Sequence, residues 1–275
     1  MIATRVTPRA ARSAAVLALA VLAGGCATTA SQAPGSPGQK LDPWEGWNRK
    51  VFSFNEELDK AVLKPVATAY HDAVPEPARR VVTNVFNNFE DAWSMANNFL
   101  QGKVQYGFET GMRVGVNTVF GIGGVVDVAT DLGLERHTED LGQTFGRWGF
   151  GPGAYIVWPL LGPSTVRDSI GLPFDLYATS PSWVIHDTGW NWGLSGLHLV
   201  NTRANLLGAG NVLNEIALDK YTFVRDAYLQ RRRSLVYDGD VPPDSTTPSD
   251  DDSGYAPMTV PDAASAPAAA SAPRK

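Results

Sequence analysis

Four histidines, a single cysteine and a few clustered carboxylates are the residues of this chain that could carry catalysis or hold a metal. The histidines are His71, His137, His186 and His198, and no HExxH or other close pairing occurs among them. A zinc site needs several ligands converging on one ion, so the sequence points away from a metal centre. Ser195 stands in Gly193-Leu194-Ser195-Gly196-Leu197. That run misses the last glycine of the GxSxG nucleophile elbow and falls in a helical pattern, where the elbow needs a strand, a sharp turn and a helix. Gly149-Phe150-Gly151-Pro152-Gly153 leaves GxGxxG incomplete and lacks a βαβ setting, and there is no P-loop, so nucleotide binding is not expected. Glu139-Asp140 with Asp168 resemble a catalytic carboxylate set, yet nothing places a nucleophile and a base at a defined spacing. Asp140 reads better as a turn or helix-cap residue, and Arg167-Asp168 as a buried or interface ion pair. The expectation is a protein that is not an enzyme and uses no cofactor.

The cysteine has another use. Arg5, Arg9 and Arg12 precede an apolar run from Ala14 to Ala23, which is the layout of an export signal. As the only cysteine, Cys26 cannot form an internal disulfide. Leu22-Ala23-Gly24-Gly25-Cys26 resembles a bacterial lipobox, although Ala23 stands where a large aliphatic residue is usual. Cys26 is therefore the expected lipidation site. Acyl chains, at about 0.8 kcal/mol per buried methylene, would hold the mature protein to one leaflet. The resulting organisation is a signal over residues 1–25, a Pro/Ser/Gly-rich tether over 26–41, a folded body over 42–237 and a disordered Pro/Ala/Asp-rich tail over 238–275.

The elements that must build the body are mainly helical. Trp44, Trp47, Val51, Phe54, Leu58 and Val62 recur at steps of three and four and predict one apolar helix face. Lys64-Pro65 is expected to interrupt that helix, and Pro77 to open the next. Val82, Phe86, Phe89, Trp93, Ala96 and Leu100 keep the same spacing up to a stop at Gln101-Gly102. Glu109 and Arg113 are spaced for an i,i+4 pair. Thr165 to Ala178 reads as a helix broken near Pro173, Trp190 to Leu207 as another, and Leu213 through Tyr228 as the start of a last one running into Arg231-Arg232-Arg233. That arginine cluster is assigned to a helix C-terminus, where cations suit the dipole. Tyr155 to Trp158 is the best strand candidate, as one arm of a small hairpin.

Between these lies a stretch from Arg113 to Asp168 that is hard to place as ordinary core. Arg113 to Asp127 contains no charge in its interior, yet as a helix its apolar run extends only about 20 Å against a hydrocarbon core of roughly 30 Å. It is followed by a glycine- and aromatic-rich segment that reads as a loop through Pro159. Trp44, Trp47 and Trp93 fall on helix faces and are expected in the core. Trp148, Trp158, Trp183, Trp190 and Trp192 fall near turns, where a membrane-interface position competes with packing. No surplus of basic charge suggests nucleic acid.

Many of these residues, in order, resemble the MlaA/VacJ family of outer-membrane lipoproteins. The likeness runs through Asp42-Pro43-Trp44-Glu45-Gly46-Trp47-Asn48-Arg49, Phe54-Asn55, Asn98-Phe99-Leu100-Gln101-Gly102, Asn117-Thr118 with Gly121 to Gly124, Glu139-Asp140-Leu141-Gly142-Gln143-Thr144 and Arg167-Asp168. It covers the body to about Arg233 and leaves out the tail.

The resemblance implies a mostly α-helical ring or disc in the inner leaflet of the outer membrane, with an amphipathic central channel. It also implies removal of phospholipids from the outer leaflet, delivery to a periplasmic carrier of the MlaC type, and association with a trimeric porin. Asn117, Thr118, Gln143 and Thr144 are channel candidates as uncharged polar residues in apolar surroundings, and each could equally satisfy backbone groups in a core. Gly121, Gly123 and Gly124 are candidates for a hinge or gate. The competing functions are a porin-bound structural lipoprotein without transport and an envelope lipase using Ser195.

Overall fold

The computed structural model describes residues 41–183, 185–210 and 217–242. The chain divides into two compact units, Met1–Asp240 and Val241–Lys275, and the elements below all belong to the first. The expected signal, Cys26, the tether up to residue 40, Leu213 and the tail from residue 243 lie outside the described residues.

The body is mostly helical with one small hairpin, as expected. Its helices are α1 (Glu45–Leu58), α2 (Lys64–Ala73), α3 (Glu76–Leu100), α4 (Val104–Val119), α5 (Val128–Asp131), α6 (Leu141–Arg147), α7 (Val166–Ala178), α8 (Thr188–Asn205) and α9 (Lys220–Val236). The strands β1 (Tyr155–Trp158) and β2 (Gly162–Thr165) pair antiparallel, with Tyr155 opposite Thr165 and Trp158 opposite Gly162.

Several boundaries differ from the sequence reading for local reasons. Pro65 does not stop the chain: a π-helical segment, Asp59–Leu63, joins α1 to α2. The wider turn accommodates the missing proline N–H. Pro173 likewise lies inside α7 without ending it. The stretch read as loop from Leu141 begins with α6, capped by Asp140, whose carboxylate accepts from the Gln143 N–H at 2.8 Å. The last helix starts at Lys220 rather than near Leu213, because Asp219 caps it through the N–H groups of Tyr221 and Thr222. The stop at Gln101-Gly102 is found where predicted, with Gly102 at φ 76°.

The larger difference is which face of each helix turns inward. Among the described residues, buried polar and charged side chains outnumber buried apolar ones. Helix α1 buries Asn48 and Val51, while Trp44, Trp47 and Phe54 of its predicted core face are exposed. Helix α4 turns Thr110, Arg113 and Asn117 inward and Phe108 and Met112 outward. Helix α3 buries Phe86 in its first half, then Asp91, Ser94, Asn97 and Asn98.

Inward polar groups are tolerable only when paired, since an unsatisfied buried donor or acceptor costs about 1–3 kcal/mol. Most here complete someone else's backbone. Asn48 donates to the Tyr155 carbonyl at 3.1 Å and accepts from the Val157 N–H at 2.9 Å. Asn55, two turns further along the same face, does the same for the Trp158 carbonyl and the Leu160 N–H at 3.0 and 2.8 Å. Asn48 thereby pairs the open edge of β1, which a two-stranded sheet would otherwise leave unpaired, and Asn55 holds the turn that follows the strand. The apolar core beside this edge is small: Val51, Tyr155, Val157 and Tyr221, with Phe52, Tyr228 and Leu229 against it.

Candidate functional site

Three helices meet on one arginine. Arg232, from α9, forks onto Asp140 at the start of α6 with contacts of 2.5 and 2.9 Å. It also reaches Asp168 of α7 through two contacts of 3.0 Å. Asp168 is held further by Arg167 at 2.9 Å and by the Tyr228 hydroxyl at 2.9 Å. Burial pushes the Asp140 and Asp168 carboxyls up, but their arginine partners outweigh it and hold both below the usual carboxylate range. Burial also lowers the Arg232 guanidinium, and the two carboxylates reverse that and raise it. The Arg167–Asp168 ion pair is buried, as expected, and Asp140 is a cap that also pairs. The arginine cluster lies at the C-terminal end of α9 as expected, and Arg232 in addition faces inward as the centre of this network.

The network needs helix α6 to come close. A Cβ on Gly142 would stand 2.5 Å from Asp168 Oδ1 and 2.6 Å from Arg232 Nη2, and one on Gly146 would stand 2.7 Å from Arg167 Nη1. Glycine at both places lets the backbone approach the ions.

Two cavities share this wall. The first is lined by Trp158, Leu161, Ser164 and Leu172 on its far side. The second is lined by Glu90 and Trp93 of α3, Gln143 of α6, Thr179 and Arg231. Asp140, Asp175, Tyr228 and Arg232 line both, so these four groups form the partition between the two spaces. Asp175 accepts from the Trp93 indole N–H at 2.7 Å and the Leu141 N–H at 3.0 Å. Burial nonetheless pushes its carboxyl up.

What this arrangement can do is hold polar groups inside an exterior of apolar ones. Ser195 lies exposed on α8 and lines neither cavity, so the fold does not bring this serine to these carboxylates. Among the described residues there is no group of His, Cys, Asp and Glu able to hold a metal.

The residues singled out as channel or hinge candidates fall in two places. Gln143 lines the second cavity. Thr144 is fully buried beside it, bonded to Asn97 at 2.8 Å and accepting from Gln101 at 3.1 Å. Asn117, Thr118, Gly121, Gly123 and Gly124 line neither cavity. Asn117 accepts from the Ala129 N–H at 2.8 Å and donates to Asp127 at 3.0 Å, the backbone-satisfying use that sequence left open. Thr118 accepts from Asn88 at 3.1 Å. Arg113 pairs with Asp91 and Asp127, not with Glu109, which accepts instead from the Glu135 N–H.

The glycine loop has its own geometry. Gly121 is irreplaceable for space, since a Cβ there would stand 2.1 Å from the Val126 carbonyl. Ile122, Gly123 and Gly124 follow with φ of 55°, 69° and 90°. For β-branched Ile122 that region is strained.

Sequence reasoning did not single out Tyr228, Trp93 or Asp175. Trp93 and Tyr228 leave a trace only as members of helical patterns, and Asp175 only as a position within the helix read over Thr165 to Ala178.

The MlaA lipoprotein family model matches residues 40–235. The intermembrane phospholipid transport system lipoprotein MlaA of Escherichia coli (strain K12) is 36% identical over 224 residues, covering 80% of this chain and 86% of that protein. The protein of the same name from Haemophilus influenzae is 31% identical over 205 residues, covering 73% and 81%. A structure solved for the structural basis of maintenance of bacterial outer membrane lipid asymmetry superposes with a TM-score of 0.61 at 36% identity, covering 71% of this chain and 98% of that one. On the extent of these matches, the chain belongs to the MlaA lipoprotein family.

Proposed function

We propose that this protein is a lipid-anchored channel in the inner leaflet of the outer membrane. It removes phospholipids from the outer leaflet and passes them to a periplasmic lipid carrier, beside a trimeric porin. The observation that carries this reading is the inverted distribution of polarity around the two cavities. Helices turn asparagine, serine, arginine and carboxylate groups inward and phenylalanine, isoleucine and tryptophan outward, which is the arrangement a headgroup path through hydrocarbon requires. Movement of a lipid along such a path breaks no covalent bond, so the chain needs no nucleophile, metal or cofactor for it. The names of the relatives, which speak of phospholipid transport, support the same conclusion.

In this proposal cleavage after residue 25 and acylation of Cys26 anchor the body to the membrane, with residues 26–41 as tether and 238–275 as a tail. Deleting the protein is expected to raise the amount of outer-leaflet phosphatidylethanolamine, measured with a membrane-impermeant amine reagent on intact cells. Thr179→Trp, which adds bulk to the second cavity, is expected to reproduce the deletion with normal protein levels and unchanged co-purification with porin. Surface labelling identical in deleted and wild-type cells would show that the protein does not carry this lipid. Loss of porin association with normal labelling would favour the adaptor reading.

A further inference from the structure

Helix α8 meets α3 through one stripe of side chains. Asn201 and Asn205 donate to the Thr83 hydroxyl at 2.8 and 3.3 Å. One turn closer to the N-terminus of α8, the His198 ring stacks on Phe86, with centroids 4.1 Å apart and planes 10° from parallel. Helix α2 braces the same stripe, since the Tyr70 hydroxyl donates to Asn201 at 3.1 Å. Of these groups His198 is the one that titrates near neutral pH.

The charge facing His198 is Glu90 of α3, 3.8 Å from Nε2. That carboxylate is already taken, because Arg136 holds its other oxygen at 3.1 Å. Arg136 belongs in turn to an alternating row, Glu90–Arg136–Asp91–Arg113–Asp127, in which each arginine stands between two carboxylates. The other charged groups on the elements around α8 are engaged as well. Arg203 pairs with Asp59 of the π-helical segment, Arg80 with Glu76, and His71 of α2 lies 3.1 Å from Asp72. Arg79 donates to the Val74 carbonyl, and Lys64 of α2 also has a partner. The turn Pro181–Trp183 carries no charged residue. A protonated His198 therefore meets one shared carboxylate and an aromatic face that keeps water off one side of its ring. Burial accordingly pushes the imidazole down, and Glu90 offsets only part of this.

We propose that His198 is an acid-sensitive latch between α8 and α3. Neutral, its ring lies on Phe86 and α8 is held; protonated, the ring turns out to water and α8 keeps only the Thr83 contacts to α3. Glu90 also lines the second cavity, so release of α8 acts at the edge of that space whatever ligand the space carries. The sign follows from linkage. A histidine held down in the folded state takes stability from the fold as pH falls through its unfolded value, about 6.5, and the loss is complete below the folded one. The latch is closed at neutral pH and opens in mild acid.

Hydrogen exchange and thermal melts of the full-length acylated protein in detergent test this, at about pH 7.5 and about pH 5.5, on either side of the histidine range. Exchange is corrected for its intrinsic pH dependence. On acidification the wild type is expected to lose a few degrees of melting temperature. Amides of α8, residues 188–205, are expected to exchange severalfold faster while those of α1 keep their protection. His198→Phe keeps a ring on Phe86 without the proton site. It is expected to abolish the α8-specific loss of protection and most of the drop in melting temperature. Equal acid losses in the wild type and His198→Phe would overturn the proposal. So would a wild type whose loss of protection is absent, or is spread evenly over the helices. The wild-type exchange pattern decides the matter even where His198→Phe fails to fold.

Discussion

Arg232 shows how much of this fold hangs on single polar contacts. Its removal by Arg232→Met leaves Asp140 without a cation and Asp168 with only Arg167. Breaking one partner of a buried ion pair costs about 3–5 kcal/mol, and a thermal melt in detergent at neutral pH should register a loss of that size. The pH dependence should change sign. In the wild type the depressed carboxyls of Asp140 and Asp168 contribute stability above their unfolded pKa, about 3.9, and lose it as pH falls through their lower folded values. In Arg232→Met, burial of Asp140 is no longer opposed by that cation, so its folded pKa rises and the variant should gain stability as pH falls from 7 toward 5. A variant that melts with the wild-type pH profile would show the network to be incidental. Two glycines give a second comparison. Gly121→Ala puts a methyl group 2.1 Å from a carbonyl oxygen, whereas Gly123 has open space and only its φ of 69° to penalise a side chain. Gly123→Ala should cost about 1–2 kcal/mol, and Gly121→Ala clearly more, in the same melt.

At the scale of elements, helices and turns were legible in the sequence and their orientation was not. A period of 3.6 reports that a helix has two unlike faces, but it is silent on which face meets protein and which meets lipid. Trp44, Trp47 and Phe54 were read as core because apolar faces go inward in water, and all three are exposed. Asn48 and Asn55 on the other face look like solvent-facing residues until the unpaired edge of β1 and the turn after it are seen beside them. The caps at Asp140 and the stop at Gly102 were readable because they are set by neighbours in sequence; the convergence of Asp140, Asp168 and Arg232 was not, since it spans 92 residues. The outward faces make their own prediction. Ile170 and Phe174 on α7 are 60% and 62% exposed. Ile170→Lys with Phe174→Lys should leave the melting temperature in detergent nearly unchanged, while binding to lipid vesicles should weaken by up to about 2.5–3.5 kcal/mol per charge. Unfolding in detergent would show that these side chains hold the fold and not the membrane.

For the molecule as a whole, helix length bears on the proposed insertion into one leaflet. No helix among the described residues is long and apolar enough to cross a membrane. Helix α4, with 16 residues, extends about 24 Å at 1.5 Å per residue, short of a core of roughly 30 Å, and it carries Arg113 inward. Helix α3 is longer, at 25 residues, but charged groups along it, among them Glu90 and buried Asp91, rule out a hydrocarbon span. A polar interior, many exposed apolar side chains and, among the described residues, no spanning helix are what the proposed insertion into a single leaflet requires. Such a body should hold to the membrane without its acyl anchor. Exporting residues 42–240 behind a cleavable soluble-protein signal, without Cys26, is therefore expected to leave the product in the membrane fraction after an alkaline carbonate wash. Its exposed tryptophans, Trp47, Trp148, Trp190 and Trp192, should be quenched by brominated phospholipids in vesicles more strongly than half-buried Trp93. Recovery of the anchorless body in the soluble fraction, unquenched, would mean that the exposed apolar faces are covered by another protein, and the proposed association with a porin would then be the interaction that positions the cavities in the membrane.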